Sequence, residues 1–256
     1  MKKRERRVKL TLTNLLFLLR CSKSYLLITS ILLLTSSFPQ ESFANKFLSD
    51  TFVSIVKSTK ASIVNIHTTK ILKDSTQHRG FRIKGQGSGV VYNNQGFIVT
   101  NKHVVKDAGE IIIRLYDGSE YKAEVIGTDE RSGIVVLKID AENLTPARFG
   151  NSDSLELGEI VLAIGNPIGL GQTVTSGIIS AKGTSNLRIT GFEDFVQTDA
   201  TINPDSYGGP LVNMDGKVVG ISTLPPEQTA GYFGISLAIP INVVNKAAED
   251  LIKHGR

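Results

Sequence analysis

A single cysteine, Cys21, occurs in the 256 residues, and it lies inside a basic, apolar leader. The rest of the chain has no thiol. Disulfides, thiol nucleophiles and thiolate metal sites are therefore excluded. An exported protein without disulfides must be held by its own core, which suits a bacterial periplasm better than an animal secretory route. The four histidines, His67, His78, His103 and His254, show no i,i+4 or H-x-H spacing, so no metal site is expected. The Gly85-Gln86-Gly87-Ser88-Gly89 run lacks the Gly-Lys-Ser/Thr ending of a phosphate loop and opens a strand pattern, so no nucleotide cofactor is expected either.

An excess of positive charge is also lacking once the leader is set aside. The whole chain has 29 Lys and Arg against 24 Asp and Glu. Residues 1–44 hold 8 of the basic and 2 of the acidic side chains, which leaves 21 against 22 and a formal charge of −1. No nucleic-acid partner is expected on these grounds. The leader begins with Lys2, Lys3, Arg4, Arg6, Arg7 and Lys9 and continues into the apolar run at 25–34. Ser42-Phe43-Ala44 then places small residues before a cut ahead of Asn45. This is the pattern of a secretory signal peptide over 1–44. The apolar run is short for a membrane span, so a membrane partner is expected only if the leader stays uncleaved as an anchor facing the periplasm. An organelle transit peptide is the third reading.

The segment from 45 to 256 reads as one unit of short strands. Phe47, Phe52, Val53, Ile55 and Val56 recur near helical spacing and predict a short amphipathic helix at 47–58. From Ser62 the period falls to two, and 63–68 read as a strand. Residues 73–84 are polar and read as a surface loop. Strands at 88–92 and 97–100 flank the turn Asn93-Asn94-Gln95-Gly96, and strands at 110–116 and 120–125 flank Asp117-Gly118-Ser119. Further strands are expected at 133–139, 160–164, 173–180, 195–198, 211–213, 217–223 and 234–239. Such spacing predicts an all-β barrel or sandwich. Its length suits two small barrels, about 45–147 and 155–240, joined through 144–157. Pro240 opens a closing helix whose stripe is Val243, Val244, Ala247, Ala248, Leu251 and Ile252. No repeat or low-complexity tract is present.

Five motifs stand out in order: Gly85 to Val91, Thr100-Asn101-Lys102-His103-Val104-Val105, Asp129 to Leu137, Ala163-Ile164-Gly165-Asn166-Pro167, and Asn203-Pro204-Asp205-Ser206-Tyr207-Gly208-Gly209-Pro210-Leu211-Val212. Together they resemble the HtrA (Deg) family of trypsin-like serine proteases over residues 47–252. The resemblance implies a chymotrypsin-like pair of six-stranded β-barrels with short terminal helices and an active site in the cleft between them. The PDZ domain usual in bacterial members is not expected here. Carried over by position, His103 matches the family's general base. Gly133 stands where the triad aspartate would be, Tyr207 where the nucleophilic serine would be, and Asp205 where an oxyanion-hole glycine would be. Ser206 and Gly208 flank the apex.

The chemistry implied by these replacements is adverse to hydrolysis. A Tyr hydroxyl has an ordinary pKa near ~10, and its oxygen lies well beyond a serine's reach. Gly133 offers nothing to orient His103. A carboxylate at Asp205 would repel a developing oxyanion. The expectation is an exported pseudoprotease, with unfolded or extended peptides as ligands in the retained cleft. Family members form trimers through the N-terminal segment of the protease domain. A homotrimer, or a hetero-oligomer with an active relative, is expected by the same resemblance, with Phe47 and Phe52 as contacts. Two other readings stand beside it. One is an active endopeptidase in protein quality control that uses Ser206 and His103, and the other is a decayed product without a role.

Overall fold

The computed structural model describes residues 40–73, 80–165, 172–185, 194–223 and 234–255. Most of the expected leader, His78 and the Asn166-Pro167 turn lie outside them. The chain divides into two units, one up to Asp50 and one from Thr51 onward. The helix α1 (Gln40–Thr59) is longer than the sequence period indicates and runs through the expected cleavage position at Asn45. Among the described residues no helix is long and apolar enough to cross a membrane.

The first sheet follows a 3₁₀ turn at Lys60–Ser62. It contains β1 (Ile63–Lys73), β2 (Gly80–Val91), β3 (Phe97–Asn101), β4 (Glu110–Arg114), β5 (Glu120–Lys122), β6 (Glu124–Asp129) and β7 (Ile134–Lys138). The short helix α2 (Lys102–Val105) follows β3 directly. One expectation is corrected here. The segment 80–84 is not loop but strand, with Lys84 opposite Thr69 and Gly80 opposite Lys73. Arg82, Ile83 and Lys84 are exposed, yet the backbone of the segment is paired with β1. The first lobe is a curled sheet of order β5-β4-β1-β2-β3-β7-β6. The expected strand at 120–125 breaks at buried Ala123, whose amide donates to Ile111 O. The two end strands are separated by that one residue, so the sheet curls back on itself.

The second lobe is a closed barrel of order β10-β13-β12-β11-β8-β9. Its strands are β8 (Ile160–Gly165), β9 (Thr173–Thr184), β10 (Phe195–Thr198), β11 (Pro210–Asn213), β12 (Val218–Thr223) and β13 (Ser236–Pro240). The linking segment carries no strand, as the sequence predicts. It fastens both lobes instead: Ala147 N–H donates to Val91 O, and Val218 N–H donates to Arg148 O. The helix α3 (Ile241–His254) ends at Gly255 in the left-handed region. The Gly255 amide caps Leu251 O.

The apolar run Ile134 to Leu137 of β7 reflects burial on both faces. Ile134 and Val136 face a central cluster with Leu162, Ile164, Phe195, Val244 and Leu251. Val135 and Leu137 face the inside of the first sheet with Val64, Ile66, Ile98 and Ile113. The barrel has its own core of Val161, Ile179, Val196, Leu211 and Val219. The central cluster thus joins both lobes and α3.

Candidate active site

The turn at 203–209 forms because Pro204 opens a 3₁₀ turn, Pro204–Ser206, and Gly208 reverses the chain with φ +85°. A side chain at Gly208 would overlap Ser88 O and Thr100 Oγ1, so only glycine fits. The first sheet grips the turn through Ser88 N–H to Tyr207 O (2.8 Å) and Ser88 Oγ to Asp205 O (3.0 Å). The barrel grips it through Ser222. Gly208 N–H donates to Ser222 O (2.9 Å), and Ser222 Oγ donates to Ser206 O (3.0 Å) and Gly209 O (2.7 Å). Asn101 Nδ2 crosses the cleft to Ser222 O (2.6 Å).

The fold brings two of the singled-out side chains together. The His103 ring, on α2, meets the Tyr207 ring edge-on, with centroids 5.4 Å apart and planes at 79°. Tyr207 is 9% exposed and packs with Val104 and Val105. Burial pushes its hydroxyl pKa up. Burial also lowers the imidazole of His103 from 6.5 to about 4. His103 is nonetheless an exposed residue and keeps part of its hydration, so the direction of the shift carries the argument. No carboxylate opposes it: among the described residues His103 makes no hydrogen bond or ion pair. It titrates as a lone base against an aromatic ring.

Gly133 is close in the backbone but brings no side chain. Its carbonyl accepts Lys102 N–H at 2.8 Å, and its φ is +73°. The neighbouring acids are committed elsewhere. Asp129 Oδ2 accepts from Ser132 Oγ (2.6 Å) and Ser132 N–H (3.3 Å), and its Oδ1 accepts from Arg131 N–H (3.2 Å). Glu130 pairs with Lys102. Ser206 is buried with its hydroxyl packed on Gly165, where a side chain on that glycine would overlap it. Asp205, half-buried, has its backbone carbonyl engaged by Ser88.

An oxyanion hole requires amides aimed at the developing charge. Here Ser206 N–H donates to Asn203 O (2.8 Å), Tyr207 N–H to Pro204 O (3.1 Å) and Gly209 N–H to Ser206 O (3.0 Å). With Gly208 bound to Ser222, four consecutive amides of the turn are spent inside the protein. Sequence reasoning gave no role to Thr100, Asn101 or Ser222. Their signal was a polar residue in an otherwise apolar strand end, and all three are at most 1% exposed.

Known proteins place this geometry. Residues 87–221, more than half of the chain, match the Trypsin-like peptidase domain. The probable periplasmic serine endoprotease DegP-like of Chlamydia muridarum (strain MoPn / Nigg) is 48% identical over 171 residues, which is 67% of this chain and 34% of that protein. Its namesake from Pseudomonas fulva (strain 12-X) is 49% identical over 170 residues, 66% of this chain and 35% of that one. The chain spans about a third of the length of these relatives. Among solved structures, an HtrA-type protease AlgW with decapeptide superposes with a TM-score of 0.72 at 38% identity, covering 80% of this chain and 68% of that one. The serine endoprotease from Yersinia pestis gives 0.65 at 40% identity, with the same coverage of each chain. The chain belongs to the trypsin-like peptidase domain family and is a homologue of the HtrA/DegP serine endoproteases.

Proposed function

We propose that this chain is an exported HtrA/DegP homologue that does not hydrolyse peptide bonds by itself and holds extended peptides in its interlobe cleft. The observation that carries the reading is Tyr207 at the apex of the turn, its ring seated against His103. Loss of a nucleophilic serine typically costs about 10⁶ in turnover. The turn's amides, spent on Asn203, Pro204, Ser222 and Ser206, add to that deficit. Ser206 as a substitute nucleophile would have to leave its packing on Gly165. Decay without a role is disfavoured by three well-packed apolar clusters and a turn whose polar groups are paired. Peptides add to cleft walls through backbone groups, which the three replacements leave alone. A related HtrA-type protease has been solved with a decapeptide, which supports the same ligand class for this chain. The relatives' periplasmic names support export to that compartment. Assembly as a trimer, or with an active relative, belongs to the same reading.

The test is casein cleavage by the purified protein, by His103→Ala, and by a repaired Gly133→Asp/Asp205→Gly/Tyr207→Ser variant. Binding of a fluorescent unfolded peptide is followed in parallel. Silence of the native chain, with peptide binding retained and activity in the repaired variant, is the expected result. Native cleavage that disappears in His103→Ala would overturn the proposal in favour of Ser206. Absent binding, with silence in all three, would leave decay.

A further inference from the structure

The strand β2 is paired unequally on its two edges. On one edge it pairs with β1 from Gly80 to Val90. On the other, β3 pairs only with Val90 and Val91. Hydrogen bonds fix which backbone groups face that open edge. Ser88 N–H leaves the ladder for Tyr207 O. Thr69 O, opposite Lys84, is turned away from β2 and accepts Gly109 N–H. Antiparallel strands alternate pairs that exchange hydrogen bonds with pairs that do not. Ser88 and Lys84 both belong to the second kind, and so do Arg82 and Gln86 between and beyond them. The N–H and C=O groups of Arg82, Lys84 and Gln86 therefore point off the open edge, and nothing among the described residues takes them.

Arg82 and Lys84 are exposed, and the strand period puts them on one face with Gln86. Neither has an ion-pair partner among the described residues. Glu110 lies in the same row as Lys84, across Thr69, but two strands away, roughly 10 Å. Asp205 stands at the cleft end of the edge, where its carbonyl accepts from Ser88 Oγ. The outer part of the edge is thus open in its backbone and cationic in its side chains.

We infer that this edge takes an extended acidic peptide, added as a strand beside residues 82–86 with a carboxylate side chain at every second position toward Arg82 and Lys84. The backbone groups supply the strand pairing, and the two cations select its charge. Like charges also repel a second copy of the same edge while admitting a strand of opposite sign. The edge runs into the cleft at Ser88, so the inference rests on the peptide-holding reading and names the class of peptide held.

The probe is a dye-labelled peptide of alternating threonine and glutamate, titrated into the full chain and followed by anisotropy. Threonine–lysine and threonine–glutamine peptides are the controls. The glutamate peptide should bind tightest and weaken with added salt. Arg82→Glu and Lys84→Glu should each weaken it about 5-fold, as an exposed attraction becomes a repulsion, and leave the glutamine peptide unchanged. Gln86→Pro removes an edge N–H that β1 does not use, so it should weaken both peptides while the thermal melt stays cooperative. A glutamate peptide bound no better than the lysine peptide overturns the inference, and the glutamine peptide then tells whether peptide holding itself survives. Glutamate-peptide affinity unchanged in both charge variants, or unchanged in Gln86→Pro, overturns it as well.

Discussion

Replacing Tyr207 with serine separates the ring's two roles, filling the cleft floor and stripping water from His103. The ring is nine-tenths buried. Burial of a large side chain contributes roughly 2–3 kcal/mol through transfer from water. Water refills the cleft mouth in the variant, so the cavity penalty is small and the loss at pH 7.5 is about 2 kcal/mol. The His103 pKa lies near 4 because of burial alone. In the variant it should climb back toward 6.5. The sign of the pH effect follows from these positions. A histidine whose folded pKa is depressed stays neutral while the unfolded chain takes up a proton. Native stability therefore falls as pH drops from about 6.5 toward 4. One pKa unit is worth ~1.4 kcal/mol. Solvent at the exposed His103 screens part of this, holding the native loss to about 1–2 kcal/mol. Tyr207→Ser escapes most of that loss, so the stability gap between the two proteins should narrow to under ~1 kcal/mol at pH 4.5. Urea unfolding at both pH values reads the gap, and an NMR titration of the imidazole reads the pKa. A His103 that still titrates near 4 in the variant, with a constant gap, would refute the assignment of the Tyr207 ring as the desolvating group.

Four further outcomes are expected. Gly208→Ala should cost at least ~3 kcal/mol in urea unfolding because its methyl meets Ser88 O and Thr100 Oγ1. Gly158→Ala, at a similar positive φ but with open space around it, should cost only about 1 kcal/mol. Equal losses would mean that backbone strain, not the fit against the first sheet, fixes Gly208. Asp129→Asn should lower stability by about 1–2 kcal/mol through its turn hydrogen bonds and leave the His103 titration in place. Gly133→Asp should raise the His103 pKa by 1–3 units if its carboxylate reaches the ring. A His103 pKa that moved with Asp129→Asn would identify that carboxylate as the ring's partner.

Much of the fold was legible because strand pairing leaves a local trace. The β2–β3 turn announces itself in Asn93-Asn94-Gln95-Gly96, and Gly96 indeed takes φ +93°. The run Ile134 to Leu137 reads as a buried strand, and all four residues are fully buried. The segment 80–84 was misread because it follows a polar run, although Phe81-Arg82-Ile83-Lys84 alternates apolar and polar and its backbone pairs with β1. The break at Ala123 was invisible since one residue that bends a strand around a curling sheet changes no periodicity.

By itself the sequence determined which groups are on hand: His103 without an aspartate at 133, a phenol where a hydroxymethyl would be needed, no thiol beyond Cys21, and no clustered histidines. These are matters of covalent composition, and no folding changes them. Only the tertiary structure decided where those groups point. It turned Ser206 onto Gly165, bound Asp129 to Ser132, spent the amides of 206–209 within the protein and set the Tyr207 ring against His103. Orientation is set by hydrogen bonds from Ser88 and Ser222, residues more than 100 positions apart that meet at one turn only after both lobes have closed on it.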